Sequence, residues 1–108
     1  MPDKPVLDIR TYTIRPRGAA EFLRLYEELA LPIAVKHWGP PVAFYVSEIG
    51  PLNQVIHIWE FESLADMERC RAAIAADGEF AKYLAATDGM IVAQEDRIVR
   101  RVNFKHTG

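Results

Sequence analysis

A chain of 108 residues, half of them hydrophobic and about a quarter charged, has the size and composition of one globular domain with its own core. Its 13 Lys and Arg against 15 Asp and Glu give a formal charge of −2, which argues against nucleic acid as a partner. The one cysteine, Cys70, has no mate for a disulfide, the first residues lack the apolar run of a signal peptide, and no apolar stretch reaches the ~20 residues that span a bilayer. We therefore expect a cytoplasmic protein with no membrane partner.

The first part of the chain predicts a strand followed by a long helical segment. Residues 6–14 are rich in β-branched and aromatic residues, which is typical of a strand. From Ala19 onward the apolar residues follow the period of a helix, with Phe22 and Tyr26 on the apolar face. Pro32 has no N–H to donate, so we expect a kink there or a new helical turn that starts at this residue.

The rest of the chain predicts a hairpin, two helices and a last strand. Residues 42–49 and 54–61 are strand-like, and the Gly-Pro-Leu-Asn sequence between them favours an antiparallel hairpin. Ser63 is a good N-cap for the helix that follows, and a shorter helix comes after it. The last strand lies near residues 93–102.

The predicted fold class is α+β, with the element order β-α-β-β-α-(α)-β over residues 1–108. Helices that connect strands of one sheet favour right-handed crossovers that pack on the sheet. The simplest arrangement is a ferredoxin-like sheet with every helix on one face, a single domain whose core covers about residues 6–102. The first and third strands would then be neighbours in the middle of the sheet.

The sheet has more apolar surface than these helices can cover. On the third strand one face carries Ile56 and Ile58, while the other carries Val55, His57 and Trp59. Four strands of ordinary length leave an open face of roughly 400 Å², which is as large as the biggest apolar patch on an ordinary monomer. The pattern therefore predicts a twofold homodimer that buries sheet against sheet.

Several sequence segments resemble the NIPSNAP family. They are LDIRTY at residues 7–12, GPLNQVIHIW at 50–59, SLAD at 63–66 together with Arg71, and QEDRI at 94–98. The likeness covers nearly the whole chain, although Met67 stands where similar sequences often carry Arg. The resemblance implies a dimeric α+β barrel, in agreement with the pairing of sheets expected from the strands, and it implies no particular reaction.

Four side chains on neighbouring strands form the candidate site. If Leu7 and Ile9 face the helices, Arg10 and Tyr12 point to the opposite side of the sheet, where His57 and Trp59 join them. We expect His57 to act as a general base on a carbonyl-activated C–H and Arg10 to hold the developing oxyanion, with Tyr12 beside them. Trp59, Tyr45 and Asn53 are the expected ligand contacts.

Each of these residues also has a structural interpretation. His57 fits a hydrogen-bonded position in a dimer core, and Arg10 fits an ion pair with Asp8 or Glu95. Asn53 fits a residue that satisfies the backbone of a tight connection. Tyr12 and Trp59 fit core positions.

The hypothesis for function is a homodimer that binds a small, mostly apolar molecule between sheet and helices, with proton transfer or oxygenation without a cofactor as its chemistry. A pure interaction or structural module is the first alternative. Handling of haem through His37 or His57 is the second. No metal site is expected, because the sequence has no Cys-x-x-Cys and no His-x-x-x-His spacing.

Overall fold

The computed structural model of the protein describes residues 3–105. The strands in this part of the chain are β1 (Val6–Ile14), β2 (Ala43–Val46), β3 (Gln54–Phe61) and β4 (Ile91–Arg100). The helices are α1 (Ala19–Leu25), α2 (Leu31–Trp38), α3 (Leu64–Ala75) and α4 (Phe80–Ala86), and a π-helical turn (Tyr26–Ala30) joins α1 to α2.

The four strands form one antiparallel sheet in the order β2-β3-β1-β4. This order, with β1 and β3 in the middle and helices between the strands, confirms the ferredoxin-like α+β prediction. The predicted hairpin is present, but β2 is shorter than the predicted 42–49 and β4 starts two residues before the predicted 93. Ser63 caps α3 as expected, since its Oγ accepts a hydrogen bond from the Asp66 N–H at 3.0 Å.

The π-helical turn keeps one row of side chains against the sheet. Phe22, Tyr26, Ala30 and Ala34 are all buried and stand four residues apart. In a plain α-helix each such step overshoots a full turn by about 40°. The wider π-helical turn, in which the Leu31 N–H donates to the Tyr26 carbonyl five residues earlier, absorbs part of that drift. α2 begins at Leu31, so Pro32 is the second residue of the new helical segment and not the first.

The faces of β1 are the reverse of the prediction. Val6, Asp8, Tyr12 and Ile14 are buried under the helices, and alternation therefore turns Leu7 and Ile9 to the other side. The prediction that Leu7 and Ile9 face the helices is wrong. The reason is that the charged residues on the helix side are neutralised by ion pairs, which a hydrophobic pattern does not register.

The face of the sheet away from the helices is mixed rather than polar. Its apolar residues are Leu7, Ile9, Ala43, Tyr45, Ile56, Ile58, Ala93 and Val99. Glu95 and Arg97 of β4 pair in register with Thr11 and Ile9, so they share this face. Within residues 3–105, no helix is both long and apolar enough to cross a membrane.

Candidate functional site

A cavity of about 350 Å³ lies between the sheet and the helices of this chain. Its size falls in the range of small-molecule pockets. Arg10, Arg71, Asp96 and Gln94 supply charged and polar lining, and the rest comes from Tyr12 and His57 of the sheet and from apolar side chains of the π-helical turn, α2, α3 and α4. The combination of apolar walls with a few polar groups is typical of a ligand site.

The structure brings the predicted quartet together, but on the helix side of the sheet. Arg10 and His57 are directly opposite each other on β1 and β3. Together with Tyr12 they border the cavity. Trp59 is fully buried behind two residues of the cavity wall: it donates a hydrogen bond to His57 and packs edge-on against Trp38. Three residues of the quartet therefore line the cavity, and Trp59 packs behind them.

Tyr45 and Asn53, the other predicted ligand contacts, do not border the cavity. On β2, Phe44 pairs with His57 and faces the helices, so the next residue, Tyr45, points to the opposite face and is 56% exposed. Asn53 adopts a left-handed φ of 62° and its carbonyl accepts the Ile14 N–H at 2.7 Å. Its place is structural, in agreement with the alternative interpretation from the sequence.

The hydrogen bond from Trp59 determines which nitrogen of the neutral His57 ring carries the hydrogen. The Trp59 indole N–H donates to His57 Nδ1 at 2.8 Å, so the ring hydrogen is on Nε2. Nε2 is buried and has no hydrogen-bond partner among residues 3–105. The ring stacks on Phe44 with centroids 4.7 Å apart, and its other side meets the edge of Tyr12.

Burial, together with the positive charge of Arg10, lowers the pKa of His57 to about 3. The ring therefore stays neutral at physiological pH, and its only basic lone pair is already used by Trp59. This geometry suits a hydrogen-bond donor through Nε2 and argues against the predicted general base.

Arg10 belongs to a cluster of two guanidinium groups and two carboxylates. Asp8, which is fully buried, accepts from Arg10 at 3.1 Å and from Arg71 at 2.7 Å. Asp96 accepts from the same two residues at 2.9 and 3.1 Å. The charges balance within the cluster. Burial raises the pKa of Asp96, although Arg10 opposes the shift.

The sequence offered an ion pair with Asp8 or Glu95 as the structural role of Arg10. Its ion pair with Asp8 is confirmed, but the second carboxylate is Asp96 and not Glu95, because Glu95 lies on the other face of β4. Arg10 Nε also donates to the Tyr12 hydroxyl at 3.0 Å. Its guanidinium lies 5.7 Å from the centre of the Trp38 ring, a cation–π contact.

Two further tyrosines line the cavity, and the sequence did not predict either of them as a site residue. Tyr26 and Tyr83 are almost fully buried, and their rings are 5.5 Å apart. Burial raises the pKa of both hydroxyls, so each stays protonated and polar. The sequence feature that could have indicated them is a tyrosine on an apolar helical face, because its ring packs in the core while its buried hydroxyl needs a hydrogen-bond partner.

His37 and Cys70 lie apart from this chemistry. His37 Nε2 is 2.8 Å from an Asp77 carboxylate oxygen, which ties α2 to the segment before α4. Burial and the nearby Asp66 raise the pKa of the Cys70 thiol, which disfavours a nucleophilic thiolate.

The NIPSNAP family model matches residues 7–106. Among curated proteins, a NipSnap homolog of Dictyostelium discoideum is 26% identical over 101 residues, which is 90% of this chain and 43% of the relative. The human NipSnap homolog 3A is 30% identical over 93 residues, which is 84% of this chain and 37% of the relative. The chain thus spans less than half the length of these curated relatives.

Solved structures of similar length match over the whole fold. A NIPSNAP family protein with unknown function from Agrobacterium tumefaciens is 30% identical, with a TM-score of 0.89 over 98% of this chain and 96% of that chain. A NIPSNAP-like domain protein from Burkholderia xenovorans is 32% identical, with a TM-score of 0.87 over 93% and 87%. A dimeric ferredoxin-like protein from an uncultured marine organism, 12% identical with a TM-score of 0.69 over 94% and 91%, shares the fold. The chain belongs to the NIPSNAP family.

Proposed function

We propose that this protein is a homodimer that binds a small, mostly apolar molecule in the cavity between its sheet and its helices. One observation carries the proposal: the buried Nε2–H of His57 borders a cavity and lacks an acceptor among residues 3–105. A buried donor without an acceptor costs about 1–3 kcal/mol. A ligand oxygen that accepts this hydrogen bond removes that cost.

The charge balance of the site favours a neutral ligand. Arg10 and Arg71 are neutralised by Asp8 and Asp96, and His57 is uncharged. A ligand carboxylate would bring an uncompensated charge into a partly buried space whose cations are already paired. A ketone or another neutral carbonyl compound offers the acceptor that His57 needs without that penalty.

The same geometry supports cofactor-independent proton transfer. His57 Nε2–H would stabilise the oxyanion that develops on the ligand carbonyl, in the way a neutral histidine acts as an electrophile. Asp96, which borders the cavity and whose pKa burial raises, is the carboxylate best placed to accept a proton from the adjacent carbon. Arg10 then has a positioning role toward Tyr12 and Asp96.

A binding experiment with a matched pair of probes tests this proposal. Trp38 lines the cavity, so its fluorescence should report on acetophenone and on benzoate, which have similar size and differ in charge. We expect acetophenone to bind more tightly than benzoate, and His57→Phe to weaken acetophenone about three- to tenfold, the value of one hydrogen bond. Tyr45→Phe, on the other face, serves as the control. Absence of saturable binding by acetophenone and longer aryl ketones, or tighter binding of benzoate, would refute the neutral-ligand proposal.

The two alternative functions make different demands on the same residues. If the protein is an interaction module, protein groups should accept the hydrogen bonds of both Arg10 and His57. Arg10 donates to Tyr12 and Asp8. His57 Nε2 has no acceptor among residues 3–105. Haem iron needs the Nε2 lone pair, and that atom carries the hydrogen while Trp59 holds Nδ1. An unchanged free-haemin spectrum after mixing would remove the haem alternative.

The dimer and the cytoplasmic location are part of the proposal. Support for the dimer is the mixed open face, where isoleucines of β1 and β3 lie beside the opposite charges of Glu95 and Arg97. Support for the cytoplasm is the lone Cys70, which has no mate for a disulfide.

A further inference from the structure

A second cavity of about 370 Å³ lies on the far side of Tyr26. Leu23, Leu31 and Phe44 supply its apolar lining, and Arg24 and Glu27 are the charged residues that border it. Tyr26 is the residue that lines both this outer cavity and the inner cavity with His57. The ring of Tyr26 therefore lies in the wall between them.

Three aromatic rings make up that wall. Tyr26 is 5.2 Å from Phe44 and 5.6 Å from His57 between ring centres, and Phe44 stacks on His57 at 4.7 Å. The π-helical turn begins at Tyr26 and keeps its ring directed toward the sheet. π-Helical turns inside helices are frequent at functional sites because they place one side chain where a regular helix would not.

We propose that Tyr26 determines which ligands fit, by closing the inner cavity on the side of the outer one and limiting the length of the apolar part that extends that way from the carbonyl at His57. This inference rests on the proposed function. Removal of the ring joins the inner cavity to the outer one, and the added space is lined by Leu23, Leu31 and Phe44. The enlarged site accepts the alkyl tail of a longer ketone.

A series of alkyl phenyl ketones, from acetophenone to hexanophenone, tests the inference by titration against tryptophan fluorescence. In the unchanged protein, we expect affinity to stop improving after the first few carbons, because the tail meets Tyr26. In Tyr26→Ala, affinity should continue to rise by about fourfold for each further methylene group that is buried. The ratio of hexanophenone to acetophenone affinity is the quantity that separates the two proteins.

Two other variants keep the test interpretable. Tyr45→Ala removes the same ring from the exposed face and should leave the length dependence unchanged. Phe44→Ala opens the same wall from the strand side and should extend the preferred length in the same direction, so it replaces Tyr26→Ala if that variant does not fold. Circular dichroism melts establish which variants are folded.

The outcomes separate this inference from the proposed function. If no ketone of the series binds the unchanged protein, both fall. If acetophenone binds but the folded wall variants keep the original length dependence, the role of Tyr26 is refuted and the proposed function stands. Continued improvement with tail length in the unchanged protein would likewise overturn the role of Tyr26.

Discussion

His57 and Trp59 show how two residues on one strand define a chemical group. They are two positions apart on β3, so their side chains adjoin on the same face and the indole N–H reaches Nδ1. That bond fixes the tautomer, and burial keeps the ring neutral with a pKa of about 3. The result is a polarised donor whose direction is set by packing against Phe44 and Tyr12.

The pKa of His57 predicts that acid destabilises the protein. The folded ring stays neutral down to about pH 3, whereas a histidine in the unfolded chain binds a proton near pH 6.5. Between these values the unfolded state holds more protons, so the free energy of unfolding falls as the pH is lowered, by about 1.4 kcal/mol per pH unit at most. Urea unfolding at pH 7, 6 and 5 should show a flatter dependence for His57→Gln. Equal slopes for the two proteins would contradict the neutral buried ring.

The two carboxylates of the charge cluster should differ in their contribution to stability. Asp8 is fully buried against two guanidinium groups, so Asp8→Asn leaves buried positive charge uncompensated and should lower the free energy of unfolding by about 3 kcal/mol. Asp96 makes the same two pairs nearer to solvent, and Asp96→Asn should cost about 1 kcal/mol. Chemical denaturation at neutral pH measures both. A larger loss for Asp96→Asn would reverse the assignment.

Part of this site was predictable from single residues, and part was not. The grouping of Arg10, Tyr12 and His57 follows from strand alternation once β1 and β3 are neighbours. Asp96 and Tyr83 lie far along the chain, and no local pattern relates them to Arg10. Their place depends on the register of β4 and on how α4 packs, which only the folded structure provides.

At the scale of elements, the helical segment and β1 show where periodicity alone is insufficient. The long helix was predicted on a regular period, which does not foresee that a π-helical turn aligns residues four apart. Strand β1 has apolar residues on both faces, so its pattern could not decide which face meets the helices. The decisive factor was the pairing of Asp8 and Arg10 with charges from α3 and β4.

The turn between α4 and β4 depends on Gly89, because its φ of 76° lies in the left-handed region. Gly89→Ala should lower the free energy of unfolding by about 1 kcal/mol. Gly78, before α4, lacks a left-handed φ and has open space around it, so Gly78→Ala is the matched control and should change stability by less than about 0.5 kcal/mol. Thermal melts of the two variants compare them directly. Equal losses would show that conformation at Gly89 is not the cause.

At the scale of the whole molecule, the sheet is covered on one side by its own helices and leaves isoleucines on the other. The inner cavity lies within a single chain, so the proposed ligand site and the proposed dimer contact use opposite faces of the same sheet. Central strands β1 and β3 contribute residues to both. A change on the open face therefore affects assembly first, and the site only through the strands.

A charged residue in the middle of the open face should separate the dimer. Ile56 lies on β3 opposite Thr11 of β1, and Ile56→Glu places a carboxylate where the two sheets would meet. Sedimentation at micromolar concentration should give twice the 12.3 kDa chain mass for the unchanged protein and the single mass for the variant. Leu84→Glu, at a residue 56% exposed on α4, is the control and should remain dimeric. A folded single subunit for the unchanged protein would refute the proposed dimer.

The proposed ligand site depends on the His57 Nε2–H, which would donate a hydrogen bond to a ligand oxygen in the inner cavity. A crystal structure of the protein grown with acetophenone tests it most directly. The expected result is a carbonyl oxygen about 3 Å from Nε2, with the phenyl ring against Tyr12, Tyr26 and Tyr83. Acetophenone bound elsewhere, or a side chain of a second copy of the chain occupying the acceptor position at Nε2, would contradict this ligand site.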